Sequence, residues 1–224
     1  MKDFKREYIS IGGWCGTSFG LKGSKLRNCS LPFDWVRSKF EGIIDCIEND
    51  FANFFPNPLF YEKIGNFNTY RGKFISFYHD NLEEITEIEK LKRRITRFNK
   101  LLTETQEIVF VRTTTTLNYE DEIKLTKKFH DVMKRKYSNT NYILVFVIPE
   151  QKTTEFVKKI DAKTLCFVLN DLSHNNKKLG EEYRPIFNYI ENNNVYEDLP
   201  QSNIDIELKS RFLEHGGKPI FIEE

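Results

Sequence analysis

The sequence predicts an α/β fold: a three-layer α/β/α sandwich around a mainly parallel sheet of about five strands. Short apolar runs recur along the chain and are continuous rather than alternating, which is how strands covered on both faces read. Between them lie longer segments whose apolar residues follow a helical period. No repeat, linker or low-complexity tract divides the 224 residues, so one domain spanning 1–224 is expected.

Tyr8–Gly12 (YISIG) reads as a buried strand that breaks into a tight turn at Gly12-Gly13. The Gly- and Ser-rich stretch from Trp14 to Trp35 reads as a structured loop with one helical turn after Cys15. Phe40, Ile43, Ile44, Ile47 and Phe51 define a helix with Ser38 as its N-cap, and Asn57-Pro58 and the Gly65/Asn66/Asn68 cluster mark loops. Lys73–Tyr78 is a strand ending at His79-Asp80. Ile85, Ile88, Leu91, Ile95, Phe98 and Leu102 form the inner face of a long helix. Strand Ile108–Arg112 is followed by a helix bearing Tyr119, Ile123, Phe129, Val132, Met133 and Tyr137. Tyr142–Ile148, stopped by Pro149, and Thr164–Leu169 complete the expected sheet, and Glu181–Tyr189 is a last helix despite Pro185.

The totals exclude several classes of function. A net charge of +1 with a pI near 7.6 gives no general attraction to nucleic acid or to an anionic membrane. No apolar run reaches the roughly 18 residues that span a bilayer, and residues 1–7 do not read as a signal peptide. Four scattered cysteines without a CxxC pair argue against a disulfide framework and a cysteine zinc site, and favour a reducing, cytoplasmic compartment. No cofactor is expected: Thr113–Thr116 lacks a Gly-rich phosphate loop, and His130 and His215 lack metal spacing. The basic run Lys92-Arg93-Arg94 with Arg97 reads as the solvated face of the long helix.

In parallel sheets, ligands sit beyond the carboxyl ends of the strands. Cys15, His79-Asp80, Arg112 and Asn170-Asp171 all follow expected strands there. Cys15 is the sharpest candidate, since amides at a helix start favour a thiolate and can hold an oxyanion; a buried structural cysteine is the plain alternative. His79 can project into a cleft as a base, or sit in a surface turn. Neighbours on a strand point to opposite faces, so Asp80 is a poor partner for His79 and Asp34 a better one. Asp34, fenced by Phe33 and Trp35, either joins the catalysis or bonds local backbone amides. Arg112 is expected to grip a carboxylate or phosphate of the substrate through its fork. Asp171 and His174 have the DxxH look of the last block of SGNH-type esterases, a pattern that also arises by chance.

Five blocks stand in order between Ile9 and Thr113: ISIGGWC, LRNCSLPFDWVRS, FISFYHD, RRITRF and IVFVRT. They make the chain resemble a family of unknown function described as "putative papain-like cysteine peptidase". Its pattern is a strand with Gly and Cys, an LR-x-x-S-x-PFDW block, an HD, an RI-x-RF helix and a strand ending in Arg. The resemblance implies Cys15 as nucleophile and His79 as base, with Asp34 or Asp80 orienting the imidazole. The family's C-terminal tryptophan-and-glycine segment is not evident, and the strand order expected here is unlike papain's.

The leading expectation is a cysteine-dependent hydrolase or acyltransferase acting on an amide or ester of a peptide or small acylated substrate. Two rivals stand beside it. One is a non-catalytic binding module whose pocket is lined by Trp14, Trp35, Asp34 and Arg112. The other is an SGNH-like esterase with Cys15 in place of serine and His174 as base.

Overall fold

The computed structural model describes residues 6–57, 59–64, 67–105, 107–116, 118–171, 175, 177–207, 214–215 and 218–221. In chain order it opens with β1 (Arg6–Ser10), α1 (Cys15–Gly23), β2 (Val36–Ser38) and α2 (Phe40–Glu48). Three strands follow, β3 (Phe60–Ile64), β4 (Phe67–Arg71) and β5 (Ile75–Phe77), then the long α3 (Ile85–Glu104). Next come β6 (Glu107–Thr113), α4 (Tyr119–Ile123), α5 (Thr126–Lys136), β7 (Asn141–Ile148), β8 (Glu155–Asp161) and β9 (Thr164–Val168). The chain continues through α6 (Leu179–Asn192) to the short ribbon β10 (Glu214–His215) and β11 (Lys218–Pro219).

The main sheet has the order β1-β6-β7-β9-β8, with β1, β6, β7 and β9 parallel and β8 antiparallel at the edge. Its two faces are read directly from alternation along β6. Ile108 and Phe110 pack toward α2, α3 and α5, while Val109 and Val111 pack toward α1 and α6. Both faces are thus covered, and the fold is the expected three-layer arrangement.

The expected membership of the sheet needs one correction. Lys73–Tyr78 contributes no strand to it. Residues Ile75–Phe77 instead pair antiparallel with β2 and β4 in a second sheet of order β2-β5-β4-β3. The fifth main strand is β8, whose mixed, half-exposed pattern is that of an edge rather than a buried strand. Ser38 is also not a helix cap. Its backbone is in β2, its Oγ accepts the Gly13 N–H at 3.0 Å, and α2 starts after an extended Lys39. The 119–137 helix is broken into α4 and α5. Among the described residues no helix is long and apolar enough to cross a membrane, and no group of three or more His, Cys, Asp or Glu is placed to hold a metal.

Candidate active site

Cys15 stands as the first residue of α1, beyond the carboxyl end of β1, and is half-buried. The turn that delivers it demands glycine. Gly12 and Gly13 have φ of 78° and 90°, and a Cβ on Gly13 would fall 2.1 Å from the Thr113 carbonyl oxygen. Gly16 has its own reason: a Cβ there would lie 2.0 Å from the Trp14 indole, which covers the helix start. Thr17 fixes the turn from inside α1. Its Oγ1 donates to the Gly12 carbonyl at 3.2 Å and lies 2.7 Å from Thr113 Oγ1, which in turn lies 2.7 Å from the Tyr183 hydroxyl of α6. No disulfide joins Cys15, Cys29, Cys46 or Cys166 among the described residues.

The second sheet brings up His79. Val36 pairs with Phe77 in the β2–β5 ladder, so the residues just outside it, Trp35 and those from Tyr78 on, are set side by side. The exposed His79 ring meets Trp35 edge-on at 6.4 Å, and Trp35 meets Phe19 of α1 edge-on at 5.1 Å. Phe19 lies four residues after Cys15, on the same side of α1. The Arg27 guanidinium covers Trp35 at 5.0 Å, and Arg37 covers Trp14 at 5.5 Å.

Asp34 is buried and serves the scaffold. One of its oxygens accepts the Leu31 N–H at 2.8 Å and faces Arg27 Nη1 at 3.3 Å; Ser18 of α1 also bonds its carboxylate. Burial is the strongest influence on it and pushes its pKa up to about 6 against the pull of Leu31 and Arg27. Asp34 therefore ties the PFDW turn to α1. Its hydrogen-bond partners are these groups, not the imidazole. Asp80 turns toward α3, where Lys90 Nζ is 2.8 Å and Arg94 Nη1 3.7 Å from its Oδ1. That agrees with the opposite facing expected of adjacent residues.

Arg112 is the clearest correction. Its side chain is fully buried. Nε and Nη2 grip the two Glu122 oxygens at 2.8 and 3.2 Å, Nη1 donates to Ile11 O and Ser38 Oγ, and Nη2 to Ser38 O and Thr115 Oγ1. A guanidinium so engaged is a rivet between β6, β2, α4 and the turn before Cys15, and a substrate-gripping role does not fit it. Asp171 is buried and its Oδ1 accepts the Glu150 N–H, a bond between the turns after β9 and β7. His174 lies outside the described residues.

The five sequence blocks meet in space. Arg97 of RITRF donates twice to the carbonyl of Ser30 in the LR-x-x-S-x-PFDW block, at 2.8 and 3.2 Å. Phe98 meets Phe33 edge-on at 5.4 Å, Arg94 faces Asp80, and Arg112 holds Ser38. Residues 6–152 match the family described as "Putative papain-like cysteine peptidase (DUF1796)". The chain belongs to this family. The chain is also similar to an uncharacterized protein of Acanthamoeba polyphaga mimivirus, 27% identical over 195 residues, covering 70% of this chain and 84% of that protein. No solved structure matches significantly.

Two charge pairs, Arg27 with Asp34 and Arg94 with Asp80, thus lie within the family's blocks, while Arg97 and Arg112 are spent on the Ser30 carbonyl and on Glu122. Sequence reasoning missed Arg27, Arg37, Ser18, Phe19 and Glu122. Arg27 had a signal, being the Arg of the LR-x-x-S block. Glu122 had none, because nothing in a charged helix start reveals that its carboxylate turns inward.

Proposed function

We propose that this protein is a cysteine-dependent hydrolase or acyltransferase acting on an amide or ester, with Cys15 as nucleophile and His79 as general base. The observation that carries the reading is the ring series Phe19–Trp35–His79. It connects the imidazole to the side of α1 that bears Cys15, while the nearby carboxylates are committed elsewhere. The amides at the start of α1 favour a thiolate. Its sulfur attacks the substrate carbonyl, and backbone amides at the start of α1 around Gly16 hold the oxyanion. His79 takes the thiol proton and returns it to the leaving group; water or an acceptor nucleophile then releases the acyl group. Asp34 acts through position, by fixing α1 and the Trp35 segment.

Alkylation by iodoacetamide tests this reading. Cys15 should react at about pH 7 and below, faster than an ordinary thiol. His79→Ala should abolish that acid-range reactivity and His174→Ala should leave it intact. If His174→Ala alone abolishes it, the base is His174. If Cys15 behaves as an ordinary thiol in all three proteins, a non-catalytic binding module is the better description.

A further inference from the structure

The second sheet has two faces. Val36, Ile75 and Phe77 turn one of them into the core. By alternation Trp35, just before β2, and Arg37 within it belong to the other, together with Ser76, which pairs with Arg37, and Tyr78 beyond it. At one end this outer face meets α1, through Trp35 on Phe19 and Arg37 on Trp14, next to Cys15. Its other part is covered by an extended piece of the same chain. Arg71 donates to the Pro219 carbonyl at 2.9 Å and Ser76 Oγ to the Ile220 carbonyl at 2.7 Å. Ile220 and Phe221 are buried against Tyr78, and Lys39 lies over the Phe221 ring at 5.1 Å.

Two side-chain donors that read backbone carbonyls, beside an apolar seat, are a means of holding an extended peptide rather than a helix or a small anion. The buried Ile220-Phe221 pair supplies the apolar part of this hold. Arg37, which pairs with Ser76 in the ladder and lies over Trp14, links this seat to the start of α1.

We propose that the outer face of the second sheet is the peptide-binding surface of the Cys15 site, and that Pro219–Phe221 is an autoinhibitory occupant which a peptide substrate displaces. This rests on reading Cys15 as the nucleophile. The step is a non-covalent exchange of one extended segment for another.

The test is binding of a synthetic peptide with the sequence of residues 216–221, read from tryptophan fluorescence or calorimetry. It is made on the full chain and on the full chain carrying Ile220→Ser and Phe221→Ser, both in a Cys15→Ser background. Losing two buried apolar side chains should favour the open surface enough to tighten peptide binding at least about tenfold. Adding Ser76→Ala to the double variant should weaken it again. Phe221→Ala alone serves if the double variant is not folded by circular dichroism. Equal affinity in parent and variant, or binding by neither, overturns the proposal. Because Cys15 is absent from these proteins, a failure here is distinct from a failure of the nucleophile assignment, which alkylation reads.

Discussion

Replacing Glu122 by Gln removes one charge from the best-buried ion pair among the described residues. Arg112 and Glu122 are 0% and 1% exposed, and the pair is bidentate. Glu122 Oε1 also accepts the Thr115 N–H at 2.7 Å and its hydroxyl at 2.9 Å. Removing one partner of such a pair leaves a buried guanidinium without its counter-charge, which costs about 3–5 kcal/mol. Against a total stability of about 5–15 kcal/mol, that is a large share. At about 2–4 °C per kcal/mol for a chain of this size, the melting temperature of Glu122→Gln should fall by about 6–20 °C. Arg112→Lys, which keeps the charge and loses the fork, should also melt lower. Both are measured by thermal unfolding under circular dichroism, with urea unfolding as a check on the free energy. A Glu122→Gln protein within about 1 kcal/mol of the parent, in the range of ordinary surface substitutions, would refute the rivet. So would an Arg112→Lys protein of unchanged stability that has lost peptide binding.

Asp34 carries a pH signature. Its raised pKa means the folded state prefers the protonated carboxyl, so its contribution is greatest below about pH 4 and is lost as pH rises through about 6. On raising pH from about 4 to 7, the stability of Asp34→Asn relative to the parent should improve by about 2–3 kcal/mol. A constant difference in urea unfolding, or one of opposite sign, would show that Arg27 outweighs burial. Thiol accessibility gives a further prediction. Cys46 and Cys166 are buried, and burial pushes both thiols up, Cys166 to about 12, whereas Cys15 and Cys29 are half-buried. Native protein should therefore lose Cys15 first and Cys29 more slowly to a disulfide reagent, with Cys46 and Cys166 titrating only after denaturation. Fast native modification of Cys46 or Cys166 would contradict the packing described.

The parallel part of the sheet was legible because β6, β7 and β9 are buried on both faces around uninterrupted apolar runs, and β1 leads through Tyr8 and Ile9 to the glycine pair. Helix α3 was legible from its single apolar stripe. The second sheet was not. Strand β2 is only Val36–Ser38, set between a stretch that reads as loop and one that reads as helix, and β3 and β4 carry mixed polar residues. Its strands exist through pairing, which local pattern does not record. The same fact governed the site. The placement of Cys15 was legible because a strand, two glycines and a helix start mark it. His79 was legible as a type of residue, but its approach to Trp35 depends on the Val36–Phe77 register. Arg112 was misjudged as a ligand group because its position beyond an apolar strand says nothing of the inward Glu122.

Whether Cys15 is a thiolate held by an imidazole is measured most directly by ultraviolet thiolate absorbance. The parent should show a thiolate absent from Cys15→Ser that persists well below the ordinary thiol range, to about pH 5–7, as in sites where a helix start and a histidine share the work. In His79→Ala the same signal should move back toward the ordinary range of about pH 8–9. A Cys15 signal that appears only in the ordinary thiol range in the parent, unchanged by His79→Ala, would contradict the catalytic reading of this site.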